Sequence, residues 1–220
     1  MDFIQHDWTR NDKNNGKGSF NNFPRIDLGV KLNQDSKVEM ALALITQKDA
    51  SAIFGTQHGG STAANDMISI MYRHYGSVVQ TWVYFGSKKT SAVSVEKFVS
   101  GTKRILKIDK ESYTVSKPDG TVLIRVDTSN SGTFTTHTTP WVYLANSVQP
   151  TQIPNVQDIY WLKLYDNGEI IRDFIPAVNL LDEVGFYCLA SDKFYKSPTP
   201  VPLTAGPRTP VWPKSKPYEE

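Results

Sequence analysis

Trp82, Tyr84, Trp141, Tyr143, Tyr160 and Trp161 are the side chains of this 220-residue sequence best suited to holding a ligand. Each joins a flat apolar ring to a polar tip, the combination that stacks on a sugar ring. Trp82 and Tyr84 lie two residues apart, as do Trp141 and Tyr143, and residues two apart on a strand point to one face. Each pair is therefore either a sugar platform on the outside of a sheet or packing between two sheets. A second stretch with binding character is "RTPVWPKSKPYEE", residues 208–220. There Arg208, Lys214 and Lys216 alternate with prolines, and Trp212 and Tyr218 stand as isolated anchors. A Pro-rich extended segment is stiff before it docks. It either enters a groove on a partner subunit or folds back to cover an edge of its own sheet.

Catalytic constellations are harder to find. The four histidines, His6, His58, His74 and His137, have no metal-ligand spacing. No Gly-x-Ser-x-Gly elbow occurs, and no Gly-rich phosphate loop follows a strand and opens a helix. Glycoside hydrolysis needs two carboxylates on either side of the scissile bond. The acids of "IDKES" and "LLDEVG" sit at turns, the ordinary place for a solvated acid. The acids and amides of "NDKNNG" are Ca²⁺-ligand types, but the string is not an EF-hand loop. The expectation is a protein that binds rather than catalyses and needs no cofactor.

The elements that must position these residues are strands. Runs of β-branched and aromatic residues recur at 25–32, 37–45, 52–57, 66–76, 77–86, 95–99, 102–109, 112–117 and 121–127, then at 140–146, 159–166, 169–177, 184–190 and 193–197. Turn residues separate them, at Pro118-Asp119-Gly120 and Asp166-Asn167-Gly168. Short antiparallel strands at this rhythm predict an all-β sandwich or barrel. "KVEMALALITQKDA" also has a helical face, but its flanks keep the hairpin rhythm, so it reads as strand. The expected core includes Ile105, Leu123, Ile124, Leu162, Leu164, Phe174 and Phe186.

A single cysteine, Cys188, excludes an intrachain disulfide and reads as a buried core thiol. The formal charge of +2, with acids and bases interspersed, argues against nucleic acid as a partner. No signal-peptide pattern and no apolar run of about 20 residues occur, so the expectation is a protein folded in a cytoplasm and not held in a membrane. One domain is expected over 1–207, with a polar Asn- and Gly-rich insertion at 9–24 and an extended arm at 208–220.

The C-terminal third carries a resemblance. "LKLYDNGEIIRDFIPA", "EVGFYCLASDKFY" and "LTAGP" resemble the closing segment of concanavalin A-like (laminin-G-like) jelly-roll domains. Such domains occur in bacteriophage structural proteins and in bacterial surface proteins. "DFIQHD" and "RIDLGVKLNQDSKVEM" resemble the first strands of the same family more loosely. The family often has Asp where this chain has Cys188. Concanavalin A-like glucanases carry a Glu-x-Asp-x-x-Glu strand, which is absent here. The resemblance implies a concanavalin A-like jelly roll. It also implies a non-enzymatic virion component, a capsid decoration or head-fibre-type protein that contacts other virion proteins. The alternative is a carbohydrate-binding adhesin that recognises host glycan.

Overall fold

In the run Arg104–Ile108, buried and half-buried residues alternate without a break. Leu106 and Ile108 therefore face inward, and Ile105 and Lys107 face out. The same alternation through the other strands builds two layers. The computed structural model describes residues 2–6, 24–46, 51–57, 66–75, 78–93, 101–129, 132–143, 146–147, 153–154, 156–199 and 203–207.

The strands in chain order are β1 (Ile4–His6), β2 (Ile26–Asp27), β3 (Ser36–Thr46), β4 (Ser51–Gln57), β5 (Met67–Tyr75) and β6 (Val78–Gly86). Then come β7 (Lys88–Val93), β8 (Arg104–Ile108), β9 (Ser112–Ser116), β10 (Val122–Asp127), β11 (Trp141–Val142) and β12 (Asn146–Ser147). The last are β13 (Ile153–Pro154), β14 (Val156–Asp166), β15 (Glu169–Val178), β16 (Val184–Cys188), β17 (Lys193–Lys196) and β18 (Leu203–Ala205). The larger sheet runs β10-β9-β8-β3-β14-β15-β16-β17, with β1 pairing both β14 and β18. The smaller runs β2-β11-β4-β5-β6-β7. Pairing is antiparallel except where β12 and β13 lie parallel to β4. The chain changes sheet between β1 and β2, β2 and β3, β3 and β4, β7 and β8, β10 and β11, and β13 and β14. Strands far apart in sequence thus become neighbours, as β3 does between β8 and β14. The fold is an all-β sandwich, one of the two architectures that the strand rhythm predicts, and it is the jelly roll that the resemblance implies.

The core lies between the inner faces of the sheets. Ile124, Leu162, Leu164, Phe174 and Phe186 are buried there as expected, and Leu123 is half-buried against them. Ile105 is a correction. It alternates with Leu106 and Ile108, so it lies on the outer face. Cys188 is a free thiol in the core, paired across strands with Phe174. "KVEMALALI" is strand, and β7 and β18 are strands that the sequence does not signal.

Two buried polar side chains tie the sheets together. The Tyr143 hydroxyl donates to the carbonyl of Ile4 at 2.8 Å, and Gln157 Nε2 donates to the carbonyl of Ile53 at 3.0 Å. Each adds a side-chain donor to a buried backbone carbonyl; that of Ile53 also accepts from the Tyr143 N–H at 3.3 Å. The turn between β14 and β15 has Asn167 and Gly168 both at positive φ, 48° and 84°. That is the type I′ geometry whose twist matches the flanking strands. Beside it, Arg172 donates toward the carbonyls of Leu28 and Gly29 at 3.4 Å each, anchoring β15 to the segment after β2.

Candidate functional site

Residues directly opposite one another in a sheet point to the same face. On the outer face of the larger sheet this rule assembles one row: Lys107 stands opposite Glu39, Glu39 opposite Lys163, and Lys163 opposite Asp173. Base and acid alternate along it. Lys163 Nζ lies 3.5 Å from Asp173 Oδ2, and Lys107 turns to Asp109 at 2.9 Å. Burial raises the Asp109 pKa, but Lys107 and the backbone N–H groups of Ser112 and Glu111 outweigh it and hold the carboxyl below its ordinary value.

Glu39 is fixed from two sides. Lys37 Nζ is 3.0 Å from Oε1, and the Tyr165 hydroxyl donates to Oε2 at 2.9 Å. Lys37 also sits 3.7 Å from the centre of the Tyr165 ring. Burial, the bond to Glu39 and the nearby acids push the Tyr165 pKa up to about 12, so its proton stays in place to orient Glu39.

Two residues along the strands, Trp161 lies opposite Ala41, which lies opposite Ile105. A depression of about 420 Å³ is lined by Glu39, Trp161, Lys163, Tyr165, Asp173, Ile175 and Leu189. Ile175 and Leu189 are 38% and 55% exposed and give it an apolar rim. Among the described residues, no hydrogen bond and no cation takes the Trp161 indole. Sequence reasoning singled out Trp161 as an aromatic but did not place it in a site. The signal was present in "YWLKLYD", where Trp161, Lys163 and Tyr165 recur with period two.

The aromatic pairs picked out by spacing lie on or under the smaller sheet. Trp82 and Tyr84 are on its outer face, because Val83 and Phe85 fill the core. Lys89 Nζ sits 3.8 Å from the Trp82 ring centre, and Trp82 Nε1 donates to Gln80 at 2.9 Å. Trp141 is also outside, with the Arg25 guanidinium 4.4 Å from its ring centre. Its Nε1 donates to Asp27 Oδ2, which accepts from Thr139 as well. Burial pulls the Arg25 pKa down, opposed by the charge of Asp27. Tyr143 is a correction: it is fully buried. Its φ of 71° turns the backbone out of the strand, so the period-two rule that would pair it with Trp141 stops there. Arg208, Trp212, Lys214, Lys216 and Tyr218 lie outside the described residues, as does "NDKNNG". Among the described residues no group of His, Cys, Asp and Glu is arranged to hold a metal ion.

No protein-family model matches the chain, and no curated protein matches it in sequence. Two solved structures share the general course of the backbone. One is a native heptameric SAP-like pentraxin from Limulus polyphemus, at 10% identity and a TM-score of 0.49 over 76% of each chain. The other is the LG4-5 portion of the mouse laminin alpha1 chain, at 13% identity and a TM-score of 0.44. That likeness covers 68% of this chain and 40% of the laminin chain. Both neighbours are concanavalin A-like jelly rolls.

Proposed function

We propose that the protein is a non-enzymatic carbohydrate-binding module, and that its binding site is the depression on the outer face of the larger sheet. One observation carries this reading: the untaken Trp161 indole beside the fixed row Glu39, Lys163 and Asp173. A sugar offers an apolar ring face and a rim of hydroxyls that both donate and accept. The indole meets the ring face. Lys163 has ammonium protons to give to hydroxyl oxygens, while Glu39 and Asp173 have carboxylate lone pairs to receive hydroxyl protons. Both carboxylates are in ion pairs, with Lys37 and Lys163. An ion-paired carboxylate serves as an acceptor, whereas a glycosidase needs one acid that carries a proton to the leaving group. The bacteriophage setting, as a virion protein contacting other virion subunits, belongs to the same proposal and rests on the sequence resemblance and the arm at 208–220.

The test is a glycan array read with the wild type and with Trp161→Ala. The expected result is retention of a related set of glycans by the wild type and its loss in the variant, with an unchanged melting temperature. Binding that survives Trp161→Ala but is lost in Trp82→Ala would move the site to the smaller sheet. Release of reducing sugar from a bound glycan would replace the binding reading with an enzymatic one.

A further inference from the structure

The row that crosses the depression does not stop at Lys107. Lys107 stands opposite Thr114, and Thr114 opposite Arg125, so six residues on six adjacent strands share one face from Arg125 to Asp173. Five strand spacings of about 4.8 Å make this track about 24 Å long. Its two ends differ in chemistry. At the Asp173 end lie Trp161 and two acids, each already held by a lysine. At the other end Arg125 is exposed and, among the described residues, has no ion pair. The half-buried Thr114 beside it has a hydroxyl with no partner among the described residues.

We infer that the ligand is an extended oligosaccharide laid across the strands, with a neutral sugar on Trp161 and an acidic group at Arg125. This deepens the carbohydrate-binding reading and rests on it. A single sugar fills only the depression, and nothing in the depression asks for an anion, since Glu39 and Asp173 repel one. A guanidinium, in contrast, presents paired donors that match carboxylate, sulfate or phosphate. The sugar backbone between the ends meets the Thr114 hydroxyl and the Lys107 stem.

The experiment uses immobilised glycans in matched series, from one to six sugar units, neutral or bearing a terminal uronate or sulfate. The full chain is compared with Arg125→Glu and Trp161→Ala. Wild-type retention is expected to rise with length and to favour the acid-bearing members. Arg125→Glu should weaken long acidic glycans about tenfold, leave short neutral ones unchanged and leave the melting temperature unmoved. Trp161→Ala should weaken all of them. Retention that is flat with length, or unchanged by Arg125→Glu, overturns the track while leaving the depression standing. Absence of wild-type retention, or retention indifferent to Trp161→Ala, overturns the carbohydrate reading and the track with it. Capture of poly-glutamate with no glycan retained would reassign the track to an acidic peptide.

Discussion

Phe174 and Ile175 are neighbours in β15 and should report opposite faces of one strand. Phe174 is fully buried between the sheets, its ring centre 5.8 Å from that of Phe186 and 5.1 Å from that of Tyr195. Removing it empties a site that close-packed neighbours refill only in part, a cost of about 3–5 kcal/mol for Phe→Ala. Two aromatic contacts, each worth about 0.5–1.5 kcal/mol beyond area, place Phe174→Ala at the upper end of that range. Ile175 is 38% exposed and lines the depression. Truncating it leaves no enclosed cavity, so Ile175→Ala should cost below about 1 kcal/mol, as surface changes away from special features do. Urea unfolding followed by far-UV circular dichroism measures both, with the denaturant slope checked for constancy so that midpoint shifts convert to stability. Glycan retention should show the reverse order: Ile175→Ala reduced, and Phe174→Ala normal at temperatures where it remains folded. A Phe174→Ala cost below 1 kcal/mol, or an Ile175→Ala cost above 2 kcal/mol, would mean that the faces of β15 are assigned the wrong way round.

Gly168→Val should destabilise the domain by about 1–2 kcal/mol through backbone strain alone, because φ is 84° and an added Cβ meets no atom within 4 Å. A selective loss of ligand binding at unchanged melting temperature would instead make that turn a functional tip. Tyr143→Phe should cost about 0.5–1.5 kcal/mol by removing the buried hydrogen bond to the Ile4 carbonyl, and an unchanged urea midpoint would contradict this. Asp109 ionises more readily folded than unfolded, so its contribution is present in full above the ordinary carboxylate value of 3.8 and is lost as pH falls through the depressed one. Asp109→Asn should therefore lower stability at pH 7 and narrow the gap between urea midpoints at pH 7 and pH 3, and an unaltered gap would refute the assignment.

The fold was legible because its signals are local. Alternation in "TKRILKID" and turn residues at Asp166-Asn167-Gly168 each act within a few residues, and each leads to the observed strand or turn, while "KVEMALALI" is strand as the hairpin rhythm of its flanks requires. Tyr143 marks the limit of that logic. Its conformation depends on its hydroxyl reaching Ile4, a partner 139 positions away that no spacing rule contains. The strand β18 was hidden for a similar reason. Its prolines speak against a ladder, yet three residues between them, Leu203–Ala205, pair with β1 at a sheet edge. The site was the least legible part. Glu39, Lys163 and Asp173 come from three strands, and only the register of β3 on β14 and of β14 on β15 makes them one row.

Exposure of aromatic rings does not by itself separate a binding face from a structural one here. Trp82, Trp141 and Trp161 all point away from the core, on two different sheets. What differs is what each ring already holds. Lys89 covers Trp82, and Arg25 covers Trp141. Each indole N–H is also engaged, by Gln80 and by Asp27. A ligand stacking there must first displace a cation–π contact worth about 0.5–1 kcal/mol at an exposed site. It must also find its own partner for a donor that is already satisfied. Trp161 imposes neither cost, and the charged groups around it are braced before any ligand arrives. Lys37 and Tyr165 fix Glu39, and Asp173 holds Lys163. Side chains ordered in advance lose less rotamer freedom on binding, commonly about 0.5–1.5 kcal/mol for each one that need not be immobilised. A bare ring inside a braced polar frame is therefore the arrangement in which weak individual contacts add up to useful affinity, and that arrangement lies on the larger sheet rather than beside the two covered tryptophans of the smaller one.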